Sequence, residues 1–115
     1  MKLTKILFFI IISTAPWPIQ ALTIADYKAM RETEPAILDI YINGVGTGFL
    51  WANTFNEMKN LPLHYCQPRN LTLNVGNYKM AINNELKEYP ERYKDDLPVE
   101  IALIKGLERT FPCGS

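Results

Sequence analysis

The chain predicts a small all-α bundle of about four helices with one disulfide. Three observations carry that prediction. Apolar residues recur three and four positions apart in several stretches, and no stretch shows the alternation of a strand. Prolines stand at the edges of those stretches, where helices start and stop. Two cysteines, Cys66 and Cys113, follow a segment with the form of an export signal.

The export segment comes first. Lys2 and Lys5 form a positive start, and Ile6–Ile12 is the apolar core. Pro16 and Pro18 break the helix, and Ile19-Gln20-Ala21 offers a cleavage site ending in a small residue. The apolar run is too short for a stable membrane anchor, and no cysteine stands directly after it to carry a lipid. The expectation is cleavage after Ala21 and a single mature domain over 22–115, placed in the periplasm and free of the membrane. An oxidising compartment favours a Cys66–Cys113 bond. It would close a loop of about 46 residues and stabilise by about 4 kcal/mol in the chain-entropy picture.

The mature chain then reads as helices in order. Thr23 with Asp26 has the form of an N-cap and its partner, and Ile24, Tyr27 and Met30 follow at helical spacing. That short helix ends near Glu32 or Thr33. Pro35 suits the first turn of a second helix running from Ala36 to about Met58. Its apolar positions Ile37, Ile40, Tyr41, Val45, Phe49 and Phe55 keep a helical period, and the aromatics Phe49, Trp51 and Phe55 are expected in the core, some of them between subunits. Gly44, Gly48 and Ala52 lie four apart and make a strip of small residues, which predicts close helix packing within one subunit or between two. A loop from about Lys59 to Asn70 contains His64 and Cys66.

Thr72 is the expected cap of the third helix, with Val75, Tyr78, Ile82, Leu86 and Tyr89 on its buried face. Pro90 ends it. The segment Glu91-Arg92-Tyr93-Lys94-Asp95-Asp96 reads as a charged, solvated turn. Asp96 is the expected cap of the last helix, with Pro98 in its first turn and Ile101, Ile104, Leu107 and Phe111 as its apolar stripe. A three-helix core, with the short first helix mobile or used in dimer contacts, is the alternative arrangement.

Charge and motif content narrow the function. The full chain carries twelve basic and twelve acidic residues. Losing Lys2 and Lys5 leaves ten against twelve, a charge of −2. Such a balance offers no footprint for nucleic acid and no basic stripe for a membrane surface. The single histidine, His64, has no second histidine to complete a zinc site, so no metal and no cofactor is expected. His64 and Cys66 have the spacing of a nucleophile pair, but a disulfide would consume the thiol. Gly44-Val45-Gly46-Thr47-Gly48 lacks the Lys-Ser/Thr of a phosphate loop. Asp95 and Asp96 are explained by a turn before a helix. No catalytic residue is expected, and the chain reads as a non-enzyme.

Part of the chain resembles a known family. The pattern is Tyr65-Cys66-Gln67-Pro68, Leu71-Thr72, Tyr89-Pro90-Glu91, Leu97-Pro98, Ala102-Leu103, Leu107 and Phe111-Pro112-Cys113, preceded by Tyr41-Ile42-Asn43-Gly44 with Gly48 and Ala52. Over about residues 36 to 113 it is similar to the Tai/Rap family, periplasmic immunity proteins that neutralise type VI secretion amidase effectors. The resemblance implies a small helical, often dimeric protein without catalysis that binds a peptidoglycan amidase and occludes its active-site groove. The element expected to enter the groove is Glu91, Arg92, Tyr93, Lys94, Asp95 and Asp96, with Tyr93 as its aromatic anchor. Two alternatives stand beside it: a periplasmic structural or chaperone-like helical dimer without a toxin partner, and an enzyme using Cys66.

Overall fold

The computed structural model describes residues 21–114, so the export segment over residues 1–20 lies outside the described residues. Four helices follow in order: α1 (Ile24–Thr33), α2 (Pro35–Met58), α3 (Val75–Glu88) and α4 (Val99–Thr110), with a single 3₁₀ turn at Pro90–Arg92. The only sheet-like feature among the described residues is an isolated antiparallel bridge between Thr23 and Pro98. The all-α bundle with one disulfide is what the sequence predicts.

Local chemistry explains the boundaries. The Thr23 hydroxyl accepts from the Asp26 N–H at 3.1 Å, and the Asp26 carboxylate accepts from the Thr23 N–H at 3.0 Å. That reciprocal box starts α1. The same hydrogen bonds hold the Asp26 carboxyl below its ordinary value. Pro35 starts α2, and Asn60, with φ of 54°, takes the left-handed conformation that turns the chain away beyond its end.

Two expected caps are corrected. Asn74, not Thr72, caps α3, because Asn74 and Asn77 stand three apart and exchange two side chain-to-backbone bonds of 2.9 and 3.1 Å. Asp96 does not cap α4. Pro98 occupies that position without a side-chain bond, and its fixed φ sets the helix entry.

One core joins all four helices. Ile24 and Tyr27 from α1, Leu38 and Ile42 from α2, Tyr78 and Ile82 from α3, and Val99, Leu103 and Leu107 from α4 are buried together, with Tyr65 and Tyr93 from the connections. The three-helix alternative is therefore not adopted. On α4 the buried stripe is Val99, Ala102, Leu103, Gly106 and Leu107, one position away from the expected Ile101, which is exposed. Two glycines let helices approach. A methyl group on Gly46 would overlap the Tyr78 ring, and one on Gly106 would sit 2.5 Å from the Ala81 carbonyl oxygen.

The disulfide joins Cys66 to Cys113 with the Cα atoms 4.8 Å apart, and no cysteine is free among the described residues. Beside it the Cys66 N–H donates to the Phe111 carbonyl at 2.8 Å. The long connection between α2 and α3 is also held from within. Buried Asn53 donates to the Tyr65 carbonyl at 2.7 Å and accepts from the His64 N–H at 2.9 Å. One amide thus satisfies two backbone groups of the loop, and the Tyr65 ring fills the core beneath.

Candidate protein-interaction surface

Helix α2 is apolar on two faces, and only one of them meets the core. The buried side is Leu38, Ile42, Gly46 and Asn53, with Tyr41, Val45 and Phe49 half-buried beside it. The other side carries Ile37, Ile40, Trp51, Phe55 and Met58, each more than half exposed. Ile37, Ile40, Trp51 and Phe55 are expected in the core, and the structure places them in solvent. The reason is geometric. At 100° per residue the two sets form separate stripes, and the bundle needs only one.

The exposed stripe runs Ile37, Ile40, Gly44, Gly48, Trp51, Phe55, Met58 at steps of three and four, for about 30 Å of helix. No charged residue lies between Asp39 and Glu57. Trp51 and Phe55 stack in a tilted pair with ring centroids 6.3 Å apart. Five large apolar side chains, each more than half exposed, thus lie along one helix face, the kind of patch that marks an interaction surface.

The glycine strip is central to this stripe. Added methyl groups on Gly44 and Gly48 would meet nothing within 4 Å, and Ala52 is exposed. Gly44, Gly48 and Ala52 therefore seat no helix among the described residues. Within the subunit the close approach occurs on the opposite side of the helix, at Gly46, two residues and about 200° away from either glycine. Between large side chains at each end, the two glycines make a shallow waist at the middle of the stripe.

The charged turn is built differently from its expected form. Glu91, Arg92, Lys94, Asp95 and Asp96 are exposed, but Tyr93 is buried at 7 % exposure. Its hydroxyl donates to Glu85 Oε2 at 2.5 Å. Tyr93 is thus an inward anchor of the turn and not a projecting contact. Burial, reinforced by the hydrogen bond to Glu85, pushes its phenol far above the ordinary value.

Glu85 is itself 1 % exposed and shares its other oxygen with Arg109 Nε. The Arg109 guanidinium lies 4.0 Å from the centre of the Tyr89 ring, and that of Arg92 lies 4.6 Å from it. A buried carboxylate with both oxygens engaged is the arrangement in which a buried charge is tolerated. Lys28 pairs with Asp95 at 3.1 Å, and the Ala25 N–H donates to the Asp95 carbonyl at 3.1 Å. The turn is therefore braced from α1, α3 and α4 at once, leaving both signs of charge displayed on a fixed backbone.

His64 is exposed in the α2–α3 connection, and Cys66 beside it is in the disulfide. Among the described residues no three His, Cys, Asp or Glu side chains group as a metal site, and no helix is long and apolar enough to cross a membrane.

Sequence reasoning missed Asn53, Glu85 and Gly46, all buried and all structural. A polar residue inside an apolar stripe was the available signal for the first two. The doubled stripe of α2 was visible as well, since its apolar positions cover more of the helix circumference than one interface uses. No family model, curated protein or solved structure matches this chain.

Proposed function

We propose that this protein is a periplasmic immunity protein, a homodimer that binds a type VI secretion peptidoglycan amidase and occludes its active-site groove. The observation that carries the reading is the exposed apolar face of α2 on a braced, disulfide-tied helical body. Such a face costs solubility unless another surface covers it.

The two surfaces divide the work. The stripe from Ile37 to Met58 joins two copies, with Gly44 and Gly48 letting the helices cross closely and Trp51 and Phe55 as the anchors. Glu91, Arg92, Lys94, Asp95 and Asp96 meet the amidase. Because Tyr93 and Asp95 tie their backbone down, little ordering is left to pay on binding. A second reading rests on the same stripe: a structural or chaperone-like dimer whose apolar face holds unfolded clients.

Co-expression with candidate amidases, above all one encoded beside this gene, tests the proposal. Stoichiometric co-purification and loss of peptidoglycan cleavage are expected. Protection by no amidase, together with binding to many unfolded proteins, would replace it with the second reading. Trp51→Lys separates the surfaces: it should yield a folded monomer by sedimentation. A wild-type protein that is already monomeric at high micromolar concentration would remove the dimer.

A further inference from the structure

The start of α1 is pinned beside a carboxylate with one oxygen unpartnered among the described residues. Residues Leu22–Ile24 run antiparallel to Leu97–Val99. The Val99 N–H donates to the Leu22 carbonyl and the Ile24 N–H to the Leu97 carbonyl, both at 2.8 Å. This pairing places the Leu22 nitrogen 3.2 Å from the Tyr41 hydroxyl of α2. That hydroxyl in turn donates to Glu100 Oε1 in the first turn of α4. The second oxygen, Glu100 Oε2, is buried and has no hydrogen-bond partner among the described residues. Unlike Glu85, then, Glu100 is a carboxylate only half satisfied, and such a group carries a desolvation cost.

We propose that Glu100, with Tyr41, is the receptor for the α-ammonium of Leu22 created when the export segment is removed. The inference rests on cleavage after Ala21 and not on the identity of any toxin. Hydrolysis of the Ala21–Leu22 amide consumes one water and leaves a carboxylate on Ala21 and an ammonium on Leu22, with no further co-reactant. At neutral pH a free α-amino group, with an ordinary pKa near 8, is mostly charged.

Cleavage thus replaces a neutral amide N–H, one hydroxyl away from Glu100, with a cation bearing three donors. One donor keeps the Tyr41 hydroxyl, and another is available to the orphan oxygen. The ion pair joins the entry of α1 to α2 and α4 at a single point. The processed chain is thereby held more firmly than a chain still carrying its leader. A charge-assisted bond of this kind is stronger than the amide bond it replaces.

The test uses the exported protein, its N-terminus read by intact mass. Three further proteins are compared with it: a form with Gly inserted before Leu22, which moves the ammonium one residue upstream, Glu100→Gln, and the two changes combined. The Leu22 α-ammonium, followed by NMR against pH, should titrate above its usual value near 8. In Glu100→Gln it should return to that value. The Gly-extended protein should melt about 4 °C below the exported one. In the Glu100→Gln background the extension should change nothing. A mature chain starting anywhere but Leu22, an ordinary α-ammonium titration in the exported protein, or an equal loss from the extension in both backgrounds overturns the proposal. The titration needs only the exported protein, so it decides the matter even if Glu100→Gln does not fold. Amidase binding enters none of these readouts.

Discussion

Asn53→Ala is expected to be among the most damaging single changes to this protein, although no apolar contact is lost at the residue's own polar end. The side chain is 7 % exposed, donates to the Tyr65 carbonyl at 2.7 Å and accepts from the His64 N–H at 2.9 Å. Truncation leaves both backbone groups without their partner. Leaving one buried polar group unmade costs about 1–3 kcal/mol. His64 is exposed, so water can reach its N–H, and the lower end applies there. Tyr65 is 1 % exposed, and the upper end applies to its carbonyl. The sum is about 4 kcal/mol, a substantial share of the roughly 5–15 kcal/mol that holds a domain together.

Urea unfolding followed by circular dichroism measures it, read at the midpoint with the slope checked for two-state behaviour. Asn53→Asp discriminates further. It keeps the acceptor for His64, loses the donor for Tyr65 and places a charge in a buried site, so it should be at least as damaging as alanine. The Cys66–Cys113 bond restrains the same connection. Asn53→Ala combined with Cys113→Ser should therefore depart from additivity by more than the ~0.5 kcal/mol seen for independent sites. Asn53→Ala within about 0.5 kcal/mol of wild type would refute the argument that this amide holds the connection.

Three other outcomes are expected. Cys113→Ser should lose about 4 kcal/mol relative to wild type under oxidising conditions and nearly nothing under reducing ones; equal melting in both would show that the cross-link does not matter. Gly46→Leu should prevent the wild-type fold, since its side chain would occupy the Tyr78 ring, whereas Gly48→Leu should fold normally and alter only self-association. Parallel circular dichroism and sedimentation on the two variants check this, and a well-folded Gly46→Leu would contradict it. Stability should fall at alkaline pH. Burial pushes the Tyr65 phenol up to about 12, so both states are protonated below pH 10 and the unfolded state alone ionises above it. The loss is about 1.4 kcal/mol per pH unit between 10 and 12. Tyr65→Phe should remove that share of the pH dependence; an unchanged slope between pH 10 and 12 would show that Tyr65 is not its source.

What could be read along the chain was whatever depends on neighbours in sequence. The Thr23 and Asp26 cap, Pro35 at the start of α2, Pro90 at the end of α3 and the helical spacing of Tyr78 and Ile82 are interactions within one or two turns. Composition and local spacing therefore determine them. The cysteine pair belongs with these, because only two cysteines were present to bond. Caps were misplaced where several polar residues competed within a few positions, as Thr72 and Asn74 do, since the winner depends on which pair is spaced for reciprocal bonds.

Tertiary structure alone decided which face of each element turns inward. A helix with two apolar stripes has no local reason to bury one, and α2 buries the stripe into which the Tyr78 ring fits at Gly46. That choice leaves Trp51 and Phe55 in water. Tyr93, flanked by charges, reads as solvated until Glu85 arrives from α3 to accept from its hydroxyl, with the other Glu85 oxygen held by Arg109 of α4. Such outcomes depend on contacts between residues far apart in the chain. Their energies exist only once the helices are packed, so no local pattern encodes them.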